Sequence, residues 1–163
     1  MPRPALVLAA LALAGFMLHS AARSDPASPN RAQARKLWTH ITRTEPFQHW
    51  PRLPETKAMR HGPSPHGPVR SIRFNPAARA VGPPYQPGSI IVMASYGGDG
   101  ELKRVSLMYK APGQNPGVDT GPAGWFWAMY GADGSIGPAG APPGCIDCHR
   151  RAEKRDFVFV AKP

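Results

Sequence analysis

The sequence predicts an α+β domain. It comprises an antiparallel β-sheet of about five strands, an N-terminal helix and a short C-terminal helix. Three observations carry this expectation. Hydrophobic residues make up 42% of the 163 residues, enough to bury one core of ordinary size. The 21 prolines and 17 glycines are scattered rather than periodic, which excludes collagen and interrupts any bundle of long helices. Short apolar runs, bounded by turn residues, recur from Val69 onward.

Taken in order, Ser28-Pro29 can cap and start a helix. Ala34, Leu37, Trp38 and Ile41 then follow helical spacing, so a helix is expected from about Pro29 to Arg43. Residues 44–68 hold six prolines and read as loop. Val69–Phe74 reads as a short strand, and Asn75-Pro76 caps a helical turn through Ala80. Ser89–Tyr96 is the clearest strand. Gly97-Gly98-Asp99-Gly100 turns it into a partner, Leu102–Lys110, in which Val105, Leu107 and Tyr109 alternate with Ser106 and Met108. A Pro/Gly loop follows, then an aromatic strand, Trp125–Tyr130. Residues 134–144 read as loop again. A short helix should open at Cys145 and run to about Lys154. Phe157–Val160, continuously apolar, is expected as a last, buried strand.

The first 22 residues read as a cleavable export signal. Arg3 is the positive n-region, Ala5–Leu18 is an uncharged, almost wholly apolar run, and Ser20-Ala21-Ala22 is a small-residue cleavage site. The run is short for a membrane span, which needs about 20 residues, so an uncleaved anchor is the lesser alternative. Residues 23–35 form a polar leader, and 36–163 form the domain. The expected location is periplasmic. The formal net charge is +10, and the signal carries only one of those charges. An exported basic domain meets no nucleic acid. It suits acidic partners, anionic lipid or an anionic cofactor.

Cys145-Ile146-Asp147-Cys148-His149 is Cys-x-x-Cys-His. Two thiols at this spacing can add to the two vinyl groups of one haem, and the adjacent His can ligate its iron. Export fits, because c-type haem is attached outside the cytoplasm. A thioredoxin-like dithiol would need a preceding βαβ pattern, which is missing. A structural zinc site would need four ligands, and there is no second Cys pair. A plain local disulfide remains open. The expectation is one covalent haem c, held by Cys145 and Cys148, with His149 as proximal iron ligand. No Met follows Met129, which argues against a small cytochrome c with a late Met ligand. The scattered Pro and Gly argue against a four-helix cytochrome c′.

Several short segments match a known family in order. They are Pro65-His66-Gly67, Asn75 with Ala77 and Ala78, Pro87–Val92, Met108-Tyr109-Lys110, and Trp125-Phe126-Trp127 with Tyr130. Gly144–His149 and Asp156–Phe159 complete the set. The ordered set resembles the cytochrome P-460 family, which includes the cytochromes c′-beta. The resemblance implies an antiparallel sheet, one covalent haem, a proximal His149, an open or weakly filled sixth position, and often a homodimer. The P-460 enzymes proper carry a lysine cross-linked to the porphyrin and oxidise hydroxylamine. Met93 occupies that position here, and a thioether has no amine to cross-link. Residues 134–144 also lack the carboxylate that some of these enzymes use. Both departures point away from hydroxylamine oxidation, so enzymatic turnover is left open. They point towards binding a small gas such as nitric oxide. The alternatives are a low-spin electron-transfer cytochrome and an oxidoreductase acting on hydroxylamine or nitrogen oxides.

The remaining candidates each have a plainer alternative. His66 falls where relatives place a bulky distal cap. It could ligate iron or hydrogen-bond a bound diatomic, or it could be an exposed loop histidine. His61 is a weaker version of the same idea, and His40 and His49 read as surface or packing residues. Met93 could be a distal group, although a strand Met is more often core filler. Trp125, Phe126 and Trp127 read as core and haem-packing residues. Arg150, Arg151, Lys154 and Arg155 could pair with haem propionates, steer an acidic redox partner, or simply face solvent.

Overall fold

The computed structural model describes residues 28–52, 60–111, 113 and 116–159. The expected signal segment, 1–22, lies outside them. No helix among the described residues is long and apolar enough to cross a membrane.

Helix α1 spans Pro29–Thr39 and continues through a π-helical turn, His40–Thr44. Together they cover the helix expected from the spacing. Ser28 caps it, its Oγ accepting from the Arg31 N–H at 3.4 Å, and Pro29 takes the first position, where no amide is needed. Ala34, Leu37 and Ile41 form its buried stripe. A 3₁₀ turn, Phe47–His49, follows.

Among the described residues the sheet is a six-stranded antiparallel meander. Its strands lie side by side in chain order: β1 (Arg60–His61), β2 (Val69–Phe74), β3 (Ile90–Tyr96), β4 (Leu102–Lys110), β5 (Trp125–Gly131) and β6 (Ile136–Gly140). Helix α2 (Pro76–Val81) bridges β2 and β3. Helix α3 (Pro143–His149) follows β6 and ends in 3₁₀ turns over Arg150–Arg155.

Two of these elements correct the expectation. The proposed last strand does not form over Phe157–Phe159. Asp156 and Phe157 both take left-handed backbone, φ 54° and 64°, which no strand accommodates. The apolar residues there are buried by a turn instead. Ile136–Gly140, read as loop, is an edge strand on β5, with a register shift between Ala128 and Tyr130. Its Gly and Pro content hid it. An edge position tolerates Pro138 because that residue's missing N–H need not join a ladder. β1 was also not expected. Such a short pairing has no periodicity to read.

The meander has two apolar faces, which the period of two along each strand separates. Ile90, Val92, Ala94, Val105, Leu107, Phe126, Ala128 and Tyr130 face α1, Phe47 and Trp50. Here the Tyr130 hydroxyl donates to the Ala34 carbonyl at 2.8 Å, and its ring lies 4.9 Å from that of Trp38. Gly140, at φ 103°, lets β6 approach α1: a Cβ there would lie 2.6 Å from Asn30 Nδ2. The opposite face carries Ile72, Phe74, Ile91, Met108, Trp125 and Trp127, packed with Ala78, Tyr85, Phe157 and Val158. The register sets Ile72 beside Met93, Met93 beside Ser106, and Ser106 beside Met129, so one row crosses four strands. This second face receives α3.

Asn75 joins α2 to the sheet. Its Oδ1 accepts from the Ala78 and Ile90 N–H groups, both at 2.9 Å, and its Nδ2 donates to the Gly88 carbonyl at 2.9 Å. Asn75→Ala should therefore cost about 2–4 kcal/mol, because a cap is lost and buried amides are stranded. Asn75→Asp should cost less, since it keeps both acceptor bonds. Urea unfolding of the two variants measures the difference.

Candidate functional site

Pro142 and Pro143 stop β6 and start α3, and the Cys145 and Ile146 N–H groups both bond to the Pro142 carbonyl. In this helix Cys145, Cys148 and His149 are spaced i, i+3, i+4 and share one face. That face closes over the second face of the sheet. Ile146 packs beside Trp127, and Gly121 allows it: a Cβ on Gly121 would lie 2.6 Å from the Trp127 ring and 3.0 Å from Ile146 Cδ1.

Between α3 and the sheet lies a cavity of about 650 Å³. Ile72, Ile91, Met93, Met108, Trp127 and Met129 form its floor, and Cys145, Cys148 and His149 line it from α3. The loop before β2 brings Ser64, Pro65 and His66 to it, and Val158 and Phe159 close another side. Its size suits a large organic cofactor, and its lining is mostly apolar.

His149 is oriented by one bond. Its Nδ1 lies 2.7 Å from the Phe157 carbonyl. A carbonyl only accepts, so Nδ1 carries the proton and Nε2 keeps its lone pair. Burial also holds the imidazole pKa below its ordinary value, partly offset by that same bond. Burial thus favours the neutral ring, the form in which an imidazole binds a metal.

The Phe157 carbonyl is in turn set by Asp156. The Asp156 carboxylate is almost fully enclosed. It accepts from Lys110 Nζ at 2.8 Å on both oxygens, from the Tyr85 N–H at 2.8 Å and from Trp125 Nε1 at 3.2 Å. Trp125 Nε1 also lies 2.9 Å from the Asp156 carbonyl. Two consecutive left-handed, non-glycine residues cost about 1–2 kcal/mol each. The enclosed carboxylate holds them there. Lys110 and Asp156 stand in segments that carry the family resemblance, yet nothing in the sequence pairs them across 46 positions.

His66 is anchored from several sides. Its N–H donates to Ser64 Oγ at 3.1 Å, and its carbonyl accepts from Ser95 Oγ. Its Nδ1 is hydrogen-bonded to Ser106 Oγ at 3.0 Å. Arg70 reaches back along the loop to the carbonyls of Gly62, Gly67 and Pro68. Burial lowers the His66 pKa most, followed by the repulsion a protonated His149 would exert and by the charges of Arg70 and Arg104. The His66 and His149 ring centres lie 6.2 Å apart, with planes at 85°.

The cavity thus gathers Cys145, Cys148, His149, His66 and Met93. His61 is exposed on β1 and does not line it. His40 faces Glu45 at 3.9 Å, and His49 is exposed. Trp125 and Trp127 pack on the cavity side of the sheet, whereas Phe126 packs on the α1 side. Arg151 lines the cavity mouth. Arg150, which faces Asp147 at 3.6 Å, Lys154 and Arg155 are exposed and do not line it. Ser106, Arg70, Lys110 and Asp156 were missed, because their roles depend on cross-strand neighbours.

These residues fit a haem. Both cysteines are free thiols, and burial, then the neighbouring Cys148, pushes the Cys145 thiol up. His149 offers Nε2. The Trp127 Nε1–H is buried and meets no acceptor among the described residues, as expected where a polar group of a cofactor completes the pocket. A family model described as Cytochrome P460 matches residues 45–160, which takes in the whole sheet and α3 but leaves out α1. No curated protein matches the chain.

Asp156→Ala should destabilise the protein by about 3–5 kcal/mol, because it strands the largely enclosed Lys110 ammonium and removes the side-chain acceptor of the Tyr85 N–H, while Trp125 Nε1 keeps the backbone carbonyl. Lys103→Ala, which breaks an exposed pair with Asp99 on the β3–β4 turn, should leave the stability almost unchanged. Parallel urea titrations compare the two.

Proposed function

The chain belongs to the cytochrome P460 family, and from that premise we propose that it is a mono-haem c-type cytochrome that binds a small neutral gas such as nitric oxide. The family implies a haem cofactor. When bound, haem would supply an iron able to coordinate an imidazole and a small ligand. Cys145 and Cys148 would hold its vinyl-derived carbons through thioethers. His149 presents Nε2 as the proximal ligand, with its ring angle and tautomer set by the Phe157 carbonyl.

One observation carries this reading. The Cys-x-x-Cys-His face of α3 is turned onto a cavity whose floor is aliphatic, thioether and aromatic. Such a floor favours an uncharged diatomic, because an ionised substrate would lose hydration against it. Met93 stands in that floor, where a lysine would have supplied an amine. This supports gas binding over hydroxylamine oxidation. Arg150, Arg151, Lys154 and Arg155 would meet an acidic redox partner at the cavity mouth, and their contribution should weaken with salt. Attachment of haem c implies export, so the proposed location is periplasmic.

Maturation of the full chain in a host with c-type haem machinery tests the proposal. The denatured wild-type protein should give a pyridine haemochrome of one haem per chain. The reduced protein should shift its absorption on adding carbon monoxide. Cys145→Ala with Cys148→Ala should release the haem to acid–butanone extraction. A protein with no haemochrome, or one whose reduced spectrum ignores carbon monoxide and nitric oxide, would sink the reading.

A further inference from the structure

We propose that His66 Nε2 is the resting sixth ligand of the haem iron, fixed for that role by Ser106, and that an incoming gas must displace it. The inference rests on the haem reading above and deepens it.

The separation of the two histidines is the first support. A first-row metal ion bonds an imidazole nitrogen at about 2.0–2.1 Å. Two imidazoles sharing one such ion therefore hold their ring centres roughly 6–6.5 Å apart. The observed 6.2 Å falls in that interval. A diatomic hydrogen-bonded between iron and His66 would need at least one more hydrogen-bond length, about 2.7–3.2 Å. The pocket as built has His66 too close for that arrangement.

The second support is which nitrogen is free. Nδ1 of each ring is engaged, by Ser106 Oγ for His66 and by the Phe157 carbonyl for His149. Neither Nε2 has a hydrogen-bond partner among the described residues. A hydroxyl can accept, so Ser106 lets His66 carry its proton on Nδ1 and keep a lone pair on Nε2. Ser106 lies mid-strand on β4, opposite Met93 on β3 and Met129 on β5, so its hydroxyl is carried by the rigid centre of the sheet.

The third support is preorganisation. Ser64, Ser95 and Ser106 bind the N–H, carbonyl and ring of one residue, and Arg70 ties down the loop on both sides of it. A histidine held only as a solvated loop residue needs none of these bonds. A ligand held to its geometry by neighbours loses little entropy on binding metal.

Haem-loaded full-length protein provides the test. The pyridine haemochrome is measured first. Its absence would defeat the haem reading, and this inference with it. With haem in place, ferric wild-type protein should be low-spin by absorption and electron paramagnetic resonance. His66→Gly should be high-spin, and millimolar imidazole should return it to low-spin. Carbon monoxide binding to reduced wild-type protein should reach a limiting rate as the gas concentration rises. In His66→Gly it should stay linear and be at least tenfold faster. Ser106→Ala, which keeps the imidazole, should give a mixed-spin ferric spectrum. A high-spin ferric wild type with a normal haemochrome would overturn the inference and leave gas binding standing. So would a low-spin spectrum that survives His66→Gly, since Met93 or another group would then be the ligand. The wild-type spectrum decides the matter even if the variants fail to mature.

Discussion

The Asp156 carboxylate is the contact on which the rest of the site depends. It sits almost out of water and accepts from a lysine, an indole and a backbone amide. Removing a carboxylate from water is costly, and only a complete set of donors offsets it. The donors come from three places: Lys110 at the end of β4, Trp125 at the start of β5, and Tyr85 in the loop after α2. The carboxylate therefore pins the C-terminal segment to the end of the sheet. Its backbone is forced left-handed there, and the next residue follows it. That turn aims the Phe157 carbonyl at His149. A buried ion pair thus sets the tautomer of the residue that faces the cavity from α3.

The meander gives its two faces different tasks. The α1 face is filled by aliphatic and aromatic side chains and by a helix, and Tyr130 ties the two together. The other face is not filled in its centre. Its large aromatics, Phe74, Tyr85 and Trp125, pack at one end around Asp156. The central row of Ile72, Met93, Ser106 and Met129 is left as a cavity floor under α3. One strand alternation therefore builds both a stable half and a receptive half. The family match begins at residue 45, so α1 adds its packing to that shared sheet from outside the matched region.

The distal loop shows the same division between rigid support and adaptable lining. Three serines and an arginine immobilise His66, while methionines lie beneath it. Methionine fills irregular space without demanding one shape. The cavity thus joins a fixed imidazole to a compliant thioether floor.

Much of this was legible in the residues themselves. The Cys-x-x-Cys-His spacing, the capped helix at Ser28-Pro29, the hairpin at 97–100 and the strands from Val69 to Tyr130 are local patterns, and each formed where its local chemistry directs. Ile136–Gly140 was hidden because an edge strand needs little propensity of its own once β5 offers it a ladder. Phe157–Phe159 misled because a continuous apolar run records burial but not backbone direction. The sequence alone determined which groups the chain brings to a site: two thiols, an adjacent imidazole and the thioether of Met93. Only the tertiary structure decided their relations: Lys110 with Asp156, Ser106 with His66, and His66 within 6.2 Å of His149. Those pairs are set by strand register and loop closure, which act between positions far apart in the chain and leave no mark on either residue's neighbours.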